Sequence, residues 1–189
     1  MTTELWIVRH GPTEWSRNGR HTSVTDLPLL PDAEEEARAL APRLTGLDPA
    51  LVLTSPRLRA RRTAELAGFA DAIHDDDLVE WAYGDYEGLT TPQIRALETE
   101  RSDWTVWTDG CPGGESGAEV AEHLDRVMIR AREADGPALP FAHGHSLRAL
   151  AARWLDLAVS DGRLFRLDTA TISVLGYERE TPVLLRWNS

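Results

Sequence analysis

The chain of 189 residues has a single cysteine, Cys111, so an intrachain disulfide bond is excluded. A lack of disulfides is typical of proteins in a reducing compartment. The sequence also lacks an apolar run of membrane-spanning length, and residues 1–4 lack the basic segment that opens a secretory signal. We therefore expect a soluble, cytoplasmic protein with no membrane partner.

Positive charge is the scarcer sign in this chain. Lys and Arg total 20 against 31 Asp and Glu, which gives a formal net charge of -11. Such a balance argues against general nucleic-acid binding, because that function needs a basic surface. It leaves room for a local cationic pocket, since a few arginines can create one on an acidic protein.

Helical and strand-like patterns alternate along the chain, which favours an α/β sandwich with a mostly parallel sheet. The length suits one domain over residues 1–189. Apolar or strand-like runs predict the strands, and they lie at 5–8, 51–55, 138–142, 172–177 and 183–187. No repeat or linker interrupts this alternation.

Three helix boundaries can be predicted from local chemistry. Asp32 with Glu35, and Ser116 with Glu119, have the spacing of capping boxes, in which each side chain satisfies a free backbone N–H group of the first turn. Pro42 is expected to kink or end the first of these helices, because proline cannot donate a helical hydrogen bond.

Two histidines directly follow predicted strands. Arg9, His10 and Gly11 come after the first strand, and His143 comes after the strand at 138–142. Ligands of open α/β sheets bind in the crevice at the carboxyl ends of the strands. The alternation of strands and helices therefore predicts that both histidines lie at one edge of the sheet, in a ligand site.

These residue types suit phosphoryl transfer. A neutral imidazole can attack a phosphoryl group, and arginine guanidinium groups can stabilise the charge on that group through paired hydrogen bonds. A protonated carboxyl group, for which Glu80 is the candidate, can protonate the leaving oxygen. Because side chains supply the positive charge, we expect neither a metal nor another cofactor.

The ordered motifs resemble the signatures of the histidine phosphatase superfamily, also called phosphoglycerate mutase-like. The resemblance extends over almost the whole chain. In detail, the motifs are similar to those of actinobacterial acid phosphatases and of the fungal sedoheptulose-1,7-bisphosphatase group. It is carried by residues 9–15, 26–29, 54–64, 78–88 and 114–116 and by the His143-Gly144 pair.

The resemblance implies a three-layer α/β/α sandwich and a phosphatase acting on small-molecule phosphomonoesters. It implies that His10 is the nucleophile, that Glu80 is the proton donor, and that Arg9, Arg59 and His143 form the phosphate pocket. An acidic pH preference is expected, because Glu80 must be protonated while His10 is neutral. Further substrate-binding candidates are Ser16, Thr22, Ser23, Gly144, His21, Trp104 and Trp107.

Two positions depart from the family pattern. Pro12 stands where the family usually has glutamate or glutamine, so a side-chain contact with substrate is not expected there. Ser16 replaces a phosphate-contacting asparagine, although its hydroxyl group can still donate one hydrogen bond.

Several alternatives stay open at this point. A cofactor-dependent phosphoglycerate mutase would use the same residues, and a phosphate-ester sensor would keep the pocket without turnover. Cys111 could be a nucleophile, and His143 with His145 could bind zinc. His21 could be a cation at the pocket rim or a solvated loop residue. An apolar closing strand could pair across a homodimer.

Overall fold

The computed structural model describes residues 4–98 and 102–189, and within them a six-stranded sheet forms the centre of the molecule. The strands, in chain order, are β1 (Leu5–Arg9), β2 (Leu51–Thr54), β3 (Ile73–His74), β4 (Ala138–Ala142), β5 (Ile172–Glu178) and β6 (Thr181–Arg186). Across the sheet their order is β3-β2-β4-β1-β5-β6. The first four strands are mutually parallel, and β5 runs antiparallel to both β1 and β6.

Helices cover both faces of this sheet. They are α1 (Glu14–Asn18), α2 (Pro31–Arg38), α3 (Ala41–Leu44), α4 (Leu58–Leu66), α5 (Thr91–Leu97), α6 (Val106–Asp109), α7 (Gly117–Glu133) and α8 (Gly144–Trp154). Side chains of β1 alternate between two cores: Leu5 and Ile7 pack with α7 and α8, while Val8 packs with α3 and α4. The predicted three-layer α/β/α fold is confirmed.

The ends of the helices test the capping predictions. Ser116 and Glu119 form the predicted capping box at the start of α7. The prediction for Asp32 is wrong. The helix α2 already begins at Pro31, so Asp32 lies inside its first turn, and the N-cap residue makes no side-chain hydrogen bond. Pro31 suits the first turn, where its missing N–H group costs nothing. Pro42 acts as predicted, since α2 ends before it and α3 starts afresh around it.

The segment between β3 and α7 closes back on itself beside the sheet. The amide of Glu115 donates to the carbonyl of Ala82 at 3.0 Å, and the Glu115 carboxylate accepts from the Ala82 amide at 2.7 Å. Gly84 lies against Pro112 with a positive φ of 52°, and a Cβ atom there would overlap the Pro112 carbonyl oxygen. The two ends of this segment are therefore held together only if residue 84 has no side chain.

Replacement of Gly84 by alanine should destabilise the fold far more than replacement of Gly68. Gly68 also has a positive φ, of 97°, but nothing lies within 4 Å of its added Cβ. Gly68→Ala should therefore cost only the left-handed backbone strain, about 1 kcal/mol. Gly84→Ala adds an overlap with backbone and should cost about 3 kcal/mol or more. Urea unfolding of both variants measures the difference, and equal losses would contradict this account.

Candidate active site

Two histidines lie side by side at the carboxyl edge of the sheet, as predicted. His10 follows β1 and His143 follows β4, and the parallel register sets Arg9 opposite Ala142. The ring centroids of the two histidines are 5.2 Å apart, and the ring planes meet at 62°. Ser55, which follows the neighbouring strand β2, lies at the same edge. Three adjacent strand ends thus build the floor of the site.

The His10 ring is held in one orientation and one tautomer. Its Nδ1 lies 2.7 Å from the carbonyl oxygen of Gly11. Because a carbonyl can only accept, Nδ1 carries the proton and Nε2 keeps its lone pair. Burial, followed by the positive charges of Arg59 and Arg9, holds the pKa of His10 well below its usual value of 6.5. The ring is therefore a neutral base with a fixed nucleophilic nitrogen.

Arg9 presents a buried donor beside this nitrogen base. Its Nη1 donates to the carbonyl of Leu167. Its Nε–H is buried and has no acceptor among the described residues. A Cβ atom at Gly144 would come within 3.2 Å of the Arg9 Cζ, so the glycine makes room for the guanidinium. A fixed positive charge with an unused N–H group suits an anionic ligand.

Arg59 and His143 lie behind the wall of the site. Arg59 is fully buried, and its guanidinium donates to the carbonyls of Thr22, Ser23 and Thr25. Its Nε also donates to Nδ1 of His143 at 3.1 Å. Arg59 thus fixes the loop over residues 22–25 and orients the second histidine.

His143 takes the opposite tautomer to His10. Since Nδ1 accepts from Arg59, the neutral ring carries its proton on Nε2, which lies 2.7 Å from the Ser55 hydroxyl. Burial, followed by the charge of Arg59, holds the pKa of His143 well below its usual value. His143 is therefore a neutral partner of Arg59 and Ser55, fixed at both nitrogens.

Glu80 binds the amino end of α8, the helix that starts directly after His143. Its Oε1 accepts from the amide of Ser146 at 2.7 Å and from that of Trp81 at 3.1 Å, while Oε2 accepts from the amide of His145 at 3.0 Å. The first amide groups of a helix have no partner within the helix, and the oxygens of Glu80 accept from two of them. These contacts fix the orientation of the carboxyl group.

Arg9, His10 and Glu80 line one cavity of about 260 Å³. Four of the predicted substrate-binding residues also line it, namely Ser16, His21, Thr22 and Gly144. The remaining lining residues are Thr13, Gly19, Arg20, Tyr83, Thr91, His145, Arg148 and Leu167. Nucleophilic nitrogen, cation and carboxyl group therefore share one space.

Three predicted substrate-binding residues do not line this cavity. Trp104 is 1% exposed and packs in the core, where its indole N–H donates to the carbonyl of Gly110. Trp107 lies behind Arg148, whose guanidinium stacks on its ring at 4.7 Å. Ser23 is buried because its amide and hydroxyl groups both donate to Glu87. Tryptophan more often fills a core than lines a site, and here core packing prevails.

Two of the cavity-lining predictions need correction in detail. The Ser16 hydroxyl donates to the carbonyl of Thr13 and accepts from its amide, so Ser16 completes the capping box that Thr13 opens at the start of α1. His21 is neither a rim cation nor a solvated residue. Burial lowers its pKa to about 4, and its Nε2 lies 3.3 Å from the Thr91 hydroxyl. His21 therefore presents a neutral ring to the cavity.

The cavity lining also includes Arg20, Tyr83, His145 and Arg148, which were not predicted as substrate-binding. The signal for His145 and Arg148 was available in principle, because both lie in the first turns of the helix that follows His143. For Tyr83 no local signal existed, since its partner His145 is 62 residues away.

Two alternatives lose their physical basis in this structure. Burial raises the pKa of Cys111 to about 12, so its thiol is a poor nucleophile at neutral pH. His143 and His145 cannot act as a strand-borne pair, because α8 begins at Gly144 between them. No group of three potential metal ligands is found in the described part of the chain. In the same part, every helix is too short or too polar to cross a membrane.

Buried His21 should make the fold acid-sensitive. Unfolded, its pKa is near 6.5, and in the folded protein it is about 4. Between these pH values the unfolded state binds more protons, so stability is complete above pH 6.5 and falls as the pH falls toward 4. The slope from this one residue is at most about 1.4 kcal/mol per pH unit.

Urea unfolding of a His21→Gln variant should therefore show a shallower loss of stability below pH 6.5 than the parent protein. His74→Gln, at an exposed position, is the matched control and should leave the slope unchanged. A parent slope retained in His21→Gln would contradict the lowered pKa.

Comparison with known proteins places this site in a family. Residues 5–189 match the profile of the histidine phosphatase superfamily (branch 1). The chain is 44% identical over 179 residues to an acid phosphatase from Mycobacterium tuberculosis, covering 92% of this chain and 86% of that protein. It is 39% identical over 190 residues to the sedoheptulose 1,7-bisphosphatase of Saccharomyces cerevisiae, with coverages of 84% and 70%.

The comparison with solved structures agrees with the sequence comparison. A solved structure of an open reading frame product from Mycobacterium tuberculosis superposes with a TM-score of 0.91 at 38% identity, over 98% of this chain and 97% of that one. The predicted enzyme class, a phosphoric monoester hydrolase, is confirmed at this level by the family and by the names of its members. The chain belongs to the histidine phosphatase superfamily, branch 1.

Proposed function

We propose that the protein hydrolyses small phosphomonoesters through a phosphohistidine formed on His10. The observation that carries this proposal is the fixed tautomer of His10, which leaves a lone pair on Nε2 of a ring that lines the cavity with Arg9 and Glu80. A neutral imidazole held in this way is a competent nucleophile. The reaction needs no group other than the side chains of this cavity and water.

In the first step the Nε2 lone pair attacks the phosphorus atom. A phosphorus–nitrogen bond forms and the bond to the ester oxygen breaks, and Glu80, in its protonated form, gives its proton to the departing oxygen. Burial and the nearby arginines hold the pKa of His10 well below its usual value, so the ring remains a free base in mildly acidic solution. A neutral His10 under these conditions is compatible with the acidic preference expected from the sequence.

Positive charge stabilises the transferring group during both steps. Arg9 supplies a donor, because its Nε–H lacks an acceptor among the described residues and its guanidinium lies against Gly144 in the cavity wall. Arg59 adds a fixed charge behind the wall and holds His143 in place. Prearranged charges of this kind are effective because they need not reorient during the reaction.

In the second step water attacks the phosphorus atom of the phosphohistidine. Glu80, now a carboxylate, takes a proton from that water, the phosphorus–nitrogen bond breaks, and Nε2 regains its lone pair. The sum is an alcohol and inorganic phosphate from an ester and water. Each residue returns to its starting protonation state, so the cycle balances.

A phosphoglycerate mutase would share the first step and differ only in the acceptor of the phosphoryl group. Hydrolysis is supported by the relatives named as an acid phosphatase and a bisphosphatase, and by the short chain between Glu80 and His143. We therefore propose that water accepts the phosphoryl group and that the substrate is a small phosphate ester.

Replacement of His10 by alanine should abolish phosphate release. The purified protein, with a chelator present, is assayed on an aryl phosphate, 3-phosphoglycerate, fructose 1,6-bisphosphate and sedoheptulose 1,7-bisphosphate. Loss of the nucleophile should reduce kcat by about a thousandfold or more. His74→Ala, at an exposed position, should keep full activity. Undiminished turnover by His10→Ala would refute the proposal.

Two other results would indicate a different function. Phosphate transfer between phosphoglycerate positions that depends on 2,3-bisphosphoglycerate would indicate a mutase. Tight binding of these esters by the parent protein without product would indicate a binding protein.

The role of Glu80 should depend on the leaving group. A proton donor matters for a poor leaving group such as an alkoxide and little for a nitrophenolate that departs as an anion. Glu80→Gln should therefore reduce kcat/KM for an alkyl phosphate by about 100-fold or more, and much less for 2,4-dinitrophenyl phosphate. Equal losses for both esters would contradict the proton-donor assignment.

A further inference from the structure

Tyr83 and His145 form a polar pair next to Glu80 that the proposed reaction leaves unused. The Tyr83 hydroxyl lies 2.7 Å from Nδ1 of His145, and both side chains line the cavity that contains His10. Tyr83 is 1% exposed. A buried tyrosine hydroxyl needs a hydrogen-bond partner.

Glu80 is the second neighbour of the same hydroxyl. Its Oε2 accepts from the backbone amide of His145 at 3.0 Å and lies 4.0 Å from Nδ1 of that residue. Burial, then the charge of Glu80 and its hydrogen bonding with the hydroxyl, raise the pKa of Tyr83 well above its usual value. Tyr83 and Glu80 therefore both lie against His145 in one cavity, and the hydroxyl group of Tyr83 keeps its proton.

The surroundings keep His145 available as an acceptor. Burial, followed by the positive charge of Arg148 and the effects of His21 and Arg9, holds the pKa of His145 well below its usual value. The ring also packs against Trp107, with centroids 5.1 Å apart. In the tautomer that carries the proton on Nε2, this neutral ring offers Nδ1 to the tyrosine hydroxyl as an acceptor.

The Tyr83 hydroxyl thus has one hydrogen and two acceptors. We propose that Tyr83 is a positioning residue for Glu80, which donates to His145 while Glu80 is protonated and turns to the carboxylate as Glu80 loses its proton. The hydrogen bond to Glu80 then forms as negative charge develops, which favours the transition state over the resting state. No proton moves along the chain, since only the orientation of the O–H changes.

This inference rests on the proposed role of Glu80 as proton donor, and it predicts a specific signature. Tyr83→Phe removes the donor and keeps the ring. It should lower kcat/KM for an alkyl phosphate by about tenfold or more and change that for 2,4-dinitrophenyl phosphate by less than about twofold. Tyr177→Phe, on β5 with its ring against Trp154, is the matched control and should change neither value.

Site-specific replacement of Tyr83 by 3-fluorotyrosine gives a second test that preserves the packing. It keeps a hydroxyl donor and should restore the activity on the alkyl ester to within about twofold of the parent. This variant decides the matter even where Tyr83→Phe folds poorly. A fluorotyrosine protein as impaired as Tyr83→Phe would overturn the inference.

The Glu80→Gln variant, assayed in parallel, separates the two hypotheses. If Glu80→Gln shows the leaving-group dependence and Tyr83→Phe loses activity equally on both esters, or loses none, the role of Tyr83 is refuted and that of Glu80 stands. If Glu80→Gln itself shows no leaving-group dependence, both assignments are refuted.

Discussion

The parallel pairing of β1 with β4 is the constraint on which the rest of the site depends. Its register sets Arg9 opposite Ala142, and the next residue of each strand is a histidine. A shift of one residue would turn the alternating side chains of β1 to the opposite core. Because both faces of the sheet are buried, such a shift is costly, and core packing thereby fixes the distance between His10 and His143.

Burial then determines the charge state of each group at that edge. His10, His21 and His145, which line the cavity, and His143 behind its wall all have lowered pKa values, so their rings are neutral. Its lasting positive charge comes from arginine, which remains protonated in proteins. An acidic chain can therefore hold an anion in a small cationic cavity. The acid sensitivity of the fold arises from the buried imidazole of His21.

Much of this arrangement could be predicted from the sequence, since the decisive signals are local. Apolar runs followed at once by His10 and His143 indicated one sheet edge, and the motif around Glu80 placed a carboxyl group with them. Long-range contacts were not predictable. Ser23 is satisfied by Glu87, and Trp104 enters a core whose other side chains come from distant segments. Arg59 matched the expected motif, yet three backbone carbonyls and His143 keep it behind the cavity wall.

The central claim is that His10 Nε2 carries the phosphoryl group between the two steps. Rapid acid-free quenching during turnover of an aryl phosphate, followed by mass spectrometry of the digested protein, tests it most directly. The account predicts one phosphoryl group, on the Nε2 of His10, that is stable in alkali, is lost in acid and decays at the rate of turnover. Phosphate on another residue, or turnover at full rate with no phosphorylated protein, would contradict it.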